Sequence, residues 1–414
     1  MSVNPRPHKE SFKRIPIAKP VFSASEEEAL LEVLRSGWLV QGPKVNAFEK
    51  LFRHFIGAKY ALAVTSCTSA LHLALAAAGI GPGDEVLVPA FTFIATANVV
   101  EYTGARPVFI DIDLETYTID CTKIRKYLSE RPEAQTRPRC IIPVSLFGLC
   151  ADMEKVNKIA FKHGLSVIED AACGFGARRH GHHAGTEALA GCFSFHPRKA
   201  ITTGEGGMVV TNDDHLAKTI QALRNHGASK TDFERHLEHG GSLLPEYDKL
   251  GYNYRMTDLQ GALGVAQMEK AEMILKGRKQ AAAWYDELLA QVTEIKTPFV
   301  PGGYEHGFQS YVCLYQPDGE TPKVGRDIDW NKINVWNRTR NRVMAQLEAM
   351  GISLRQGTHA VHTLGYYKKK YALQDHDYPM AYLADRLSLA LPLYYGITRQ
   401  EQRTVVEKLK QCLS

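Results

Sequence analysis

The sequence predicts an α/β fold: a mainly parallel sheet flanked by helices, followed by a smaller C-terminal α+β domain. Three observations predict it. Short apolar runs alternate with amphipathic helical runs through the first two-thirds of the 414 residues, glycines stop the helical runs, and the pattern changes character beyond about residue 276. Strands separated by helices are joined by crossovers, which makes the sheet mostly parallel and covers both of its faces.

The strand-like runs are 60–64, 85–88, 107–110, 140–144, 165–168 and 208–211. Between them, 69–78 reads as a helix ended by Gly79 and 153–163 as one ended by Gly164. Glycine fits there because the residue after a helix often turns left-handed. Residues 258–276 read as one long helix with Leu259, Leu263, Val265, Ala266 and Met268 as apolar positions. Residues 297–356 mix short strands with a helix over 337–350, closed by Gly351, and 317–329 reads as an exposed loop. The chain therefore divides into an N-terminal arm (1–20), a large domain (21–276) and a small domain (277–414). Chemistry on such a sheet belongs at the C-terminal ends of the strands.

Composition narrows the class. With 44% hydrophobic and 23% charged residues, the chain has the make-up of an ordinary globular protein. A net charge of +5 suits an anionic substrate but supplies no basic arm for nucleic acid. No signal peptide and no apolar run of membrane-spanning length is read, so a soluble, cytoplasmic protein without a membrane partner is expected. The eight cysteines are scattered, with no CxxC pair and no His/Cys cluster at metal-ligand spacing. They read as reduced thiols, and no metal site is expected.

Four pieces carry chemistry. Ser194-Phe195-His196-Pro197-Arg198-Lys199 precedes the turn Gly204-Glu205-Gly206-Gly207, and such a turn lets backbone approach a ligand closely. Glu169 and Asp170 end an apolar strand and point to opposite faces, so only one of them serves a site at that edge. A carboxylate there keeps a pyridine nitrogen protonated. Thr65-Ser66-Cys67-Thr68-Ser69 lies between a strand and an apolar helix, where helix N–H groups and hydroxyls gather anions. Phe91 and Phe93 close another strand and offer a stacking face. Taken singly, a surface lysine, a helix cap and a core Phe are ordinary. Together they supply an amine, a ring-nitrogen partner, a phosphate cradle and a ring cover, as pyridoxal phosphate (PLP) requires.

The sequence resembles the DegT/DnrJ/EryC1/StrS sugar aminotransferases, which are fold-type I PLP enzymes. The resemblance runs from about Ile15 to the C-terminus. It includes Ser36-Gly37-Trp38, Thr68-Ser69-Ala70-Leu71-His72, Gly79-Ile80-Gly81-Pro82-Gly83-Asp84, Glu169-Asp170-Ala171-Ala172, Ser194-Phe195-His196 through Lys199, and Gly251-Tyr252-Asn253-Tyr254-Arg255-Met256. It implies that Lys199 carries the cofactor, Asp170 pairs with its ring nitrogen and Phe93 stacks on the ring. By the same resemblance, Thr68, Ser69 and Ser194 bind phosphate. Asn253 binds phosphate in the other subunit's site, and hence a homodimer with shared sites is expected. Trp38, Arg255 and His359 fall where the family contacts substrate.

Cys173 and Cys67 depart from the family pattern, Cys173 on the cofactor's hydroxyl side and Cys67 just before Thr68. The run Arg355-Gln356-Gly357-Thr358-His359 and the long segment 317–342 also depart, and both lie where specificity is set. The implied reaction moves an amino group from L-glutamate to a nucleotide-linked keto-sugar by ping-pong through pyridoxamine phosphate (PMP). The alternatives are a PMP-dependent sugar dehydratase, disfavoured by the retained Lys199, and an aminotransferase acting on a cyclitol or other ketone. Lys323, Arg326, Lys332, Arg338, Arg340 and Arg342 read as a solvated face rather than a diphosphate clamp.

Overall fold

Seven strands form the central sheet of the computed structural model, which describes residues 14–130, 138–230, 245–319 and 328–413. In chain order they are β1 (Tyr60–Val64), β2 (Glu85–Pro89), β3 (Arg106–Ile110), β4 (Pro138–Ile141), β5 (Ser166–Asp170), β6 (Ala190–Ser194) and β7 (Gly207–Thr211). The spatial order is β1-β7-β6-β5-β4-β2-β3. Pairing is parallel except where β7 meets β1 and β6, so β7 alone runs backwards.

Both faces are covered, and the pleat shows it. Ala61 and Ala63 of β1, Phe193 of β6, and Met208 and Val210 of β7 pack with Phe48 and Phe52 on one face. Leu62, Val64, Cys192 and Val209 join the opposite core. That alternation is the two-residue period of a strand buried on both sides.

β6 is the strand that apolar runs in the sequence do not announce. It is rich in small residues, and Gly191 lies so close to Gly185 that a Cβ would come within 2.3 Å of its Cα. The helix expected over 258–276 is two helices, Asp258–Glu269 and Ala271–Leu289. They part at Lys270, whose ammonium reaches back to both carboxylate oxygens of Glu26 at 2.6 Å. The second helix runs through residue 276, where the two domains were divided. The helix expected over 337–350 begins earlier, at Trp330, because Asp329 caps it by accepting from the Asn331 and Lys332 N–H groups at 3.0 and 3.1 Å.

A second sheet is antiparallel and built from β8 (Ile295–Lys296), β9 (Tyr311–Tyr315) and β10 (Ser388–Leu391), in that order. One continuous apolar core joins the two sheets, running from Val64 and Phe91 through Phe147 to Tyr311, Leu389 and Leu409. Buried Arg278 fastens the seam by donating to the Phe308 and Gln309 carbonyls at 2.9 and 2.5 Å. Of the N-terminal arm, residues 1–13 lie outside the described chain. Ile15 pairs with Ile352, and Ile17 accepts from the Leu393 N–H at 3.1 Å.

Among the described residues, no helix is long and apolar enough to cross a membrane. All eight cysteines are free thiols, and seven are buried.

Candidate active site

A cleft of about 400 Å³ opens where the C-terminal ends of the large-sheet strands meet the second sheet. The strand ends deliver its floor: Ser66, Cys67 and Thr68 after β1, Thr92 and Phe93 after β2, Asp170 and Cys173 after β5, and Ser194 and Lys199 after β6. Gln309, Ser310, Arg355, Gln356 and Leu391 line it from the side of the second sheet, with Ile17.

Asp170 is 5% exposed. Its carboxylate accepts from the Thr96 hydroxyl at 2.8 Å and the Ala172 N–H at 3.1 Å. Thr96 in turn lies 2.9 Å from the Thr92 hydroxyl. Burial raises the Asp170 carboxyl above its ordinary range, while these two hydrogen bonds and the nearby Lys199 charge oppose the rise. A carboxylate has about four acceptor sites, and Asp170 spends two of them inside the protein. The rest are available to a cation in the cleft.

Lys199 does not serve as that cation, because its amine donates to Cys173 Sγ at 3.1 Å. The floor is thus a buried anion with room for a protonated ring nitrogen, beside a primary amine. Cys67 lies behind it as a neutral thiol, since burial and the charge of Asp170 push its pKa well above the usual value.

Glu169, the other carboxylate of the pair, faces away. It accepts from the Ser145 hydroxyl at 2.5 Å and the Gly185 N–H at 2.7 Å, and burial raises it to about 7. The expectation that one strand can aim only one of the two carboxylates at the site holds.

The N-terminus of the helix Cys67–Ala77 adjoins the cleft, and its first-turn N–H groups favour an anion. Thr68 and Ser194 border the cleft beside it. Ser69 does not. Its hydroxyl is buried, donates to the Ser66 carbonyl at 2.8 Å and accepts from the Ser66 N–H at 2.9 Å, so it closes a capping box. The capping geometry of this turn points the Ser69 hydroxyl, read as a phosphate group, at the Ser66 backbone instead of the cleft. Gly207 explains how the turn is held. A Cβ there would sit 2.3 Å from the Ser66 carbonyl carbon, so β7 packs directly on the cradle.

These features suit a ring with a basic nitrogen at one end and a phosphate at the other. Residues 21–410 match the model of the DegT/DnrJ/EryC1/StrS aminotransferase family.

The chain belongs to the DegT/DnrJ/EryC1/StrS aminotransferase family.

Over 402 residues it is 36% identical to GDP-perosamine synthase of Caulobacter vibrioides, covering 97% of this chain and 98% of that one. Over 397 residues it is 36% identical to the spore coat polysaccharide biosynthesis protein SpsC of Bacillus subtilis, covering 96% of each. The PLP-form of a putative sugar aminotransferase from Streptococcus pneumoniae superposes with a TM-score of 0.84 at 25% identity, covering 97% of this chain and 98% of that one. The same protein has also been solved in a PMP-form. A DegT-family aminotransferase has the doubly covered, mostly parallel sheet described above, so the expected fold class stands.

The remaining residues that the sequence offered as site groups do not line the cleft of their own chain. Asn253 is exposed and pairs with Asn225, and Arg255 Nη1 donates to Asn225 Oδ1 at 2.7 Å. His359 is exposed on the short pairing of 359–360 with 91–92, and its neighbour Thr358 reaches the cleft instead. Trp38 directs its indole N–H toward the Gln41 carbonyl at 3.4 Å.

The basic face is only partly solvated. Arg340 is buried and donates to the Ser388 carbonyl at 2.8 Å, so it serves the packing of the second sheet. Lys332 pairs with Asp318 at 2.6 Å, Arg338 and Arg342 are exposed, and none of the four lines the cleft. Lys323 and Arg326 lie outside the described residues.

Sequence reading missed Arg198 and Arg355 as cleft groups and Thr96 as the buried donor to Asp170. Thr96 had no signal, since a helical Thr after a strand is common; the two arginines stood inside quoted motifs without a role of their own.

Proposed function

We propose that this sugar aminotransferase carries PLP on Lys199 and moves an amino group from L-glutamate to a ketone on a nucleotide-linked sugar. The single observation that carries the assignment is that Asp170 and Lys199 open onto one cleft, close enough for the lysine's charge to act on the carboxyl. PLP is the cofactor, with PMP as its aminated state. When bound, it supplies a protonated ring that takes up the electron pair left on the reacting carbon.

The chain's own groups do the rest. Asp170 holds the proton on the ring nitrogen, and Thr96 fixes the carboxylate that does so. Thr68, Ser194 and the helix N-terminus would take the phosphate, and Phe93, 59% exposed, would cover a ring face. Lys199 Nζ would be the amine that holds the cofactor and, when released from it, would move the proton at the donor's Cα. Cys173 Sγ, 3.1 Å away, holds the released amine in the cleft. Asn253 lies on the surface away from its own cleft, which supports its service to a second subunit's site in a homodimer. Trp38, Arg255 and His359 complete the substrate surface in that assembly.

The test is spectroscopic. The purified protein should show a visible band near roughly 410–430 nm that borohydride fixes onto Lys199. L-Glutamate should bleach it, and a panel of keto-sugar nucleotides should restore it. Lys199→Ala should fold and lose all turnover; transamination at the native rate in that variant would overturn the assignment. A band that no amino acid bleaches would favour the dehydratase reading.

A further inference from the structure

We propose that Arg198 and Arg355 form a two-sided cationic gate that reads the two carboxylates of the amino donor, making the enzyme selective for a dicarboxylic amino acid. The inference rests on the aminotransferase reading above and deepens it by assigning the donor's binding groups.

Arg198 and Arg355 line one cleft from different sheets. Arg198 lies in the turn after β6, immediately before Lys199. Its carbonyl accepts from Gln309 Nε2 at 3.1 Å, so the turn is tied across the seam to the small-domain side. Arg198 is exposed, and among the described residues its guanidinium makes no hydrogen bond or ion pair.

Arg355 lies beside β10, exchanging backbone bonds with Ala390 at 2.7 and 3.3 Å. One corner of its guanidinium is held: Nη1 donates to the Leu354 carbonyl at 2.7 Å and lies 3.5 Å from Glu348 Oε2. Nε and Nη2 make no bond among the described residues, which leaves the other edge for a ligand. A guanidinium edge with two parallel N–H groups is the shape that binds a carboxylate bidentately.

The charge in the cleft is uneven. Arg198, Lys199 and Arg355 stand against exposed Glu205 and against Asp170, which is buried at the floor and which the proposed function assigns to the cofactor's ring nitrogen. Lys199 is taken up by the cofactor, so Arg198 and Arg355 are the arginines that this chain's own cleft lining offers to a substrate. The proton that Lys199 removes sits on the carbon bearing the donor's α-carboxylate. An anion site one residue from Lys199 is therefore placed for that carboxylate rather than for phosphates beyond a sugar ring. A second guanidinium on the opposite side then matches the side-chain carboxylate.

The experiment follows the half-reaction by loss of the visible band, which also reports that each variant folds and holds cofactor. Arg198→Gln and Arg355→Gln should each weaken L-glutamate about tenfold or more, the loss expected for one charge-assisted pair. The preference for L-glutamate over L-glutamine, which differ by the side-chain carboxylate, should collapse in one of the two. Arg→Lys at each position should recover part of the loss, and the keto-sugar KM should stay within about twofold. Unchanged glutamate binding in both variants would overturn the gate, and so would a KM increase confined to the keto-sugar, which would mark a diphosphate clamp. A wild-type band bleached by no amino acid would instead remove the aminotransferase reading. Wild-type bleaching matched by both variants removes only the gate.

Discussion

Thr96 is the residue on which the buried carboxylate most depends. Its hydroxyl is fully buried and meets Asp170 Oδ2 at 2.8 Å. Thr96→Val keeps the shape and removes the donor, leaving Asp170 with one internal hydrogen bond. A lost hydrogen bond to a charged group is worth about 1.5–3 kcal/mol, so kcat should fall about tenfold or more while the donor KM changes little. Single-turnover half-reaction rates check this, and an unchanged rate would remove Thr96 from the machinery.

Glu169 gives a second test at the same scale. Burial raises its pKa from 4.5 to about 7. Between those values the folded protein keeps a proton that the unfolded chain has released. Glu169's contribution to stability therefore declines as pH climbs from about 4.5 to about 7 and is flat outside that window. Glu169→Gln, which can still accept from Gly185 and contact Ser145, removes the titration. The variant should gain on the native protein by about 1–3 kcal/mol between pH 5 and pH 8, read from urea midpoints. A constant difference across that range would mean that Glu169 is ionised throughout.

At the scale of elements, Asp258 ties two helices together. It opens the helix Asp258–Glu269, yet its carboxylate accepts from the N–H groups of Gly42, Val45 and Lys44 at 2.8, 3.0 and 3.1 Å. Those N–H groups begin the helix Pro43–Ile56, so a side chain 213 or more positions away caps it. Asp258→Ala should cost about 1–2 kcal/mol, the loss of a cap, with the cleft's spectroscopy intact. Denaturant midpoints check the first half and the cofactor band the second. The break at Lys270 and the early start at Asp329 teach the same lesson. Apolar periodicity located both helices, but their ends were set by one side chain finding a distant or adjacent partner.

For the whole molecule, the question is whether a site belongs to one chain. Asn253 lies outside its own cleft, on the segment that crosses the end of β1 through the Val64–Arg255 bridge. If sites are shared between subunits, co-expressed Lys199→Ala and Asn253→Ala chains should form mixed dimers with one restored site each. Their activity should approach half that of the native dimer per mixed pair, whereas each variant alone is inactive or nearly so. No recovery above the separate variants would place Asn253 outside any shared site.

The sequence by itself determined the sheet class and the helix-and-strand alternation, its ordered motifs carried the family resemblance, and it offered Asp170 and Lys199 to one pocket. The first two follow from local chemistry: a two-residue or 3.6-residue apolar period and a glycine at a turn. Tertiary structure decided what depends on distance between remote segments. It turned Ser69 inward as a cap, sent Arg340 into the core and left Cys67 neutral behind the floor. It also brought Thr96 beneath Asp170 and Arg198 and Arg355 to one cleft. The physical reason is that the hydrogen bond or burial a side chain ends with is set by which distant segments meet, and local sequence does not state that.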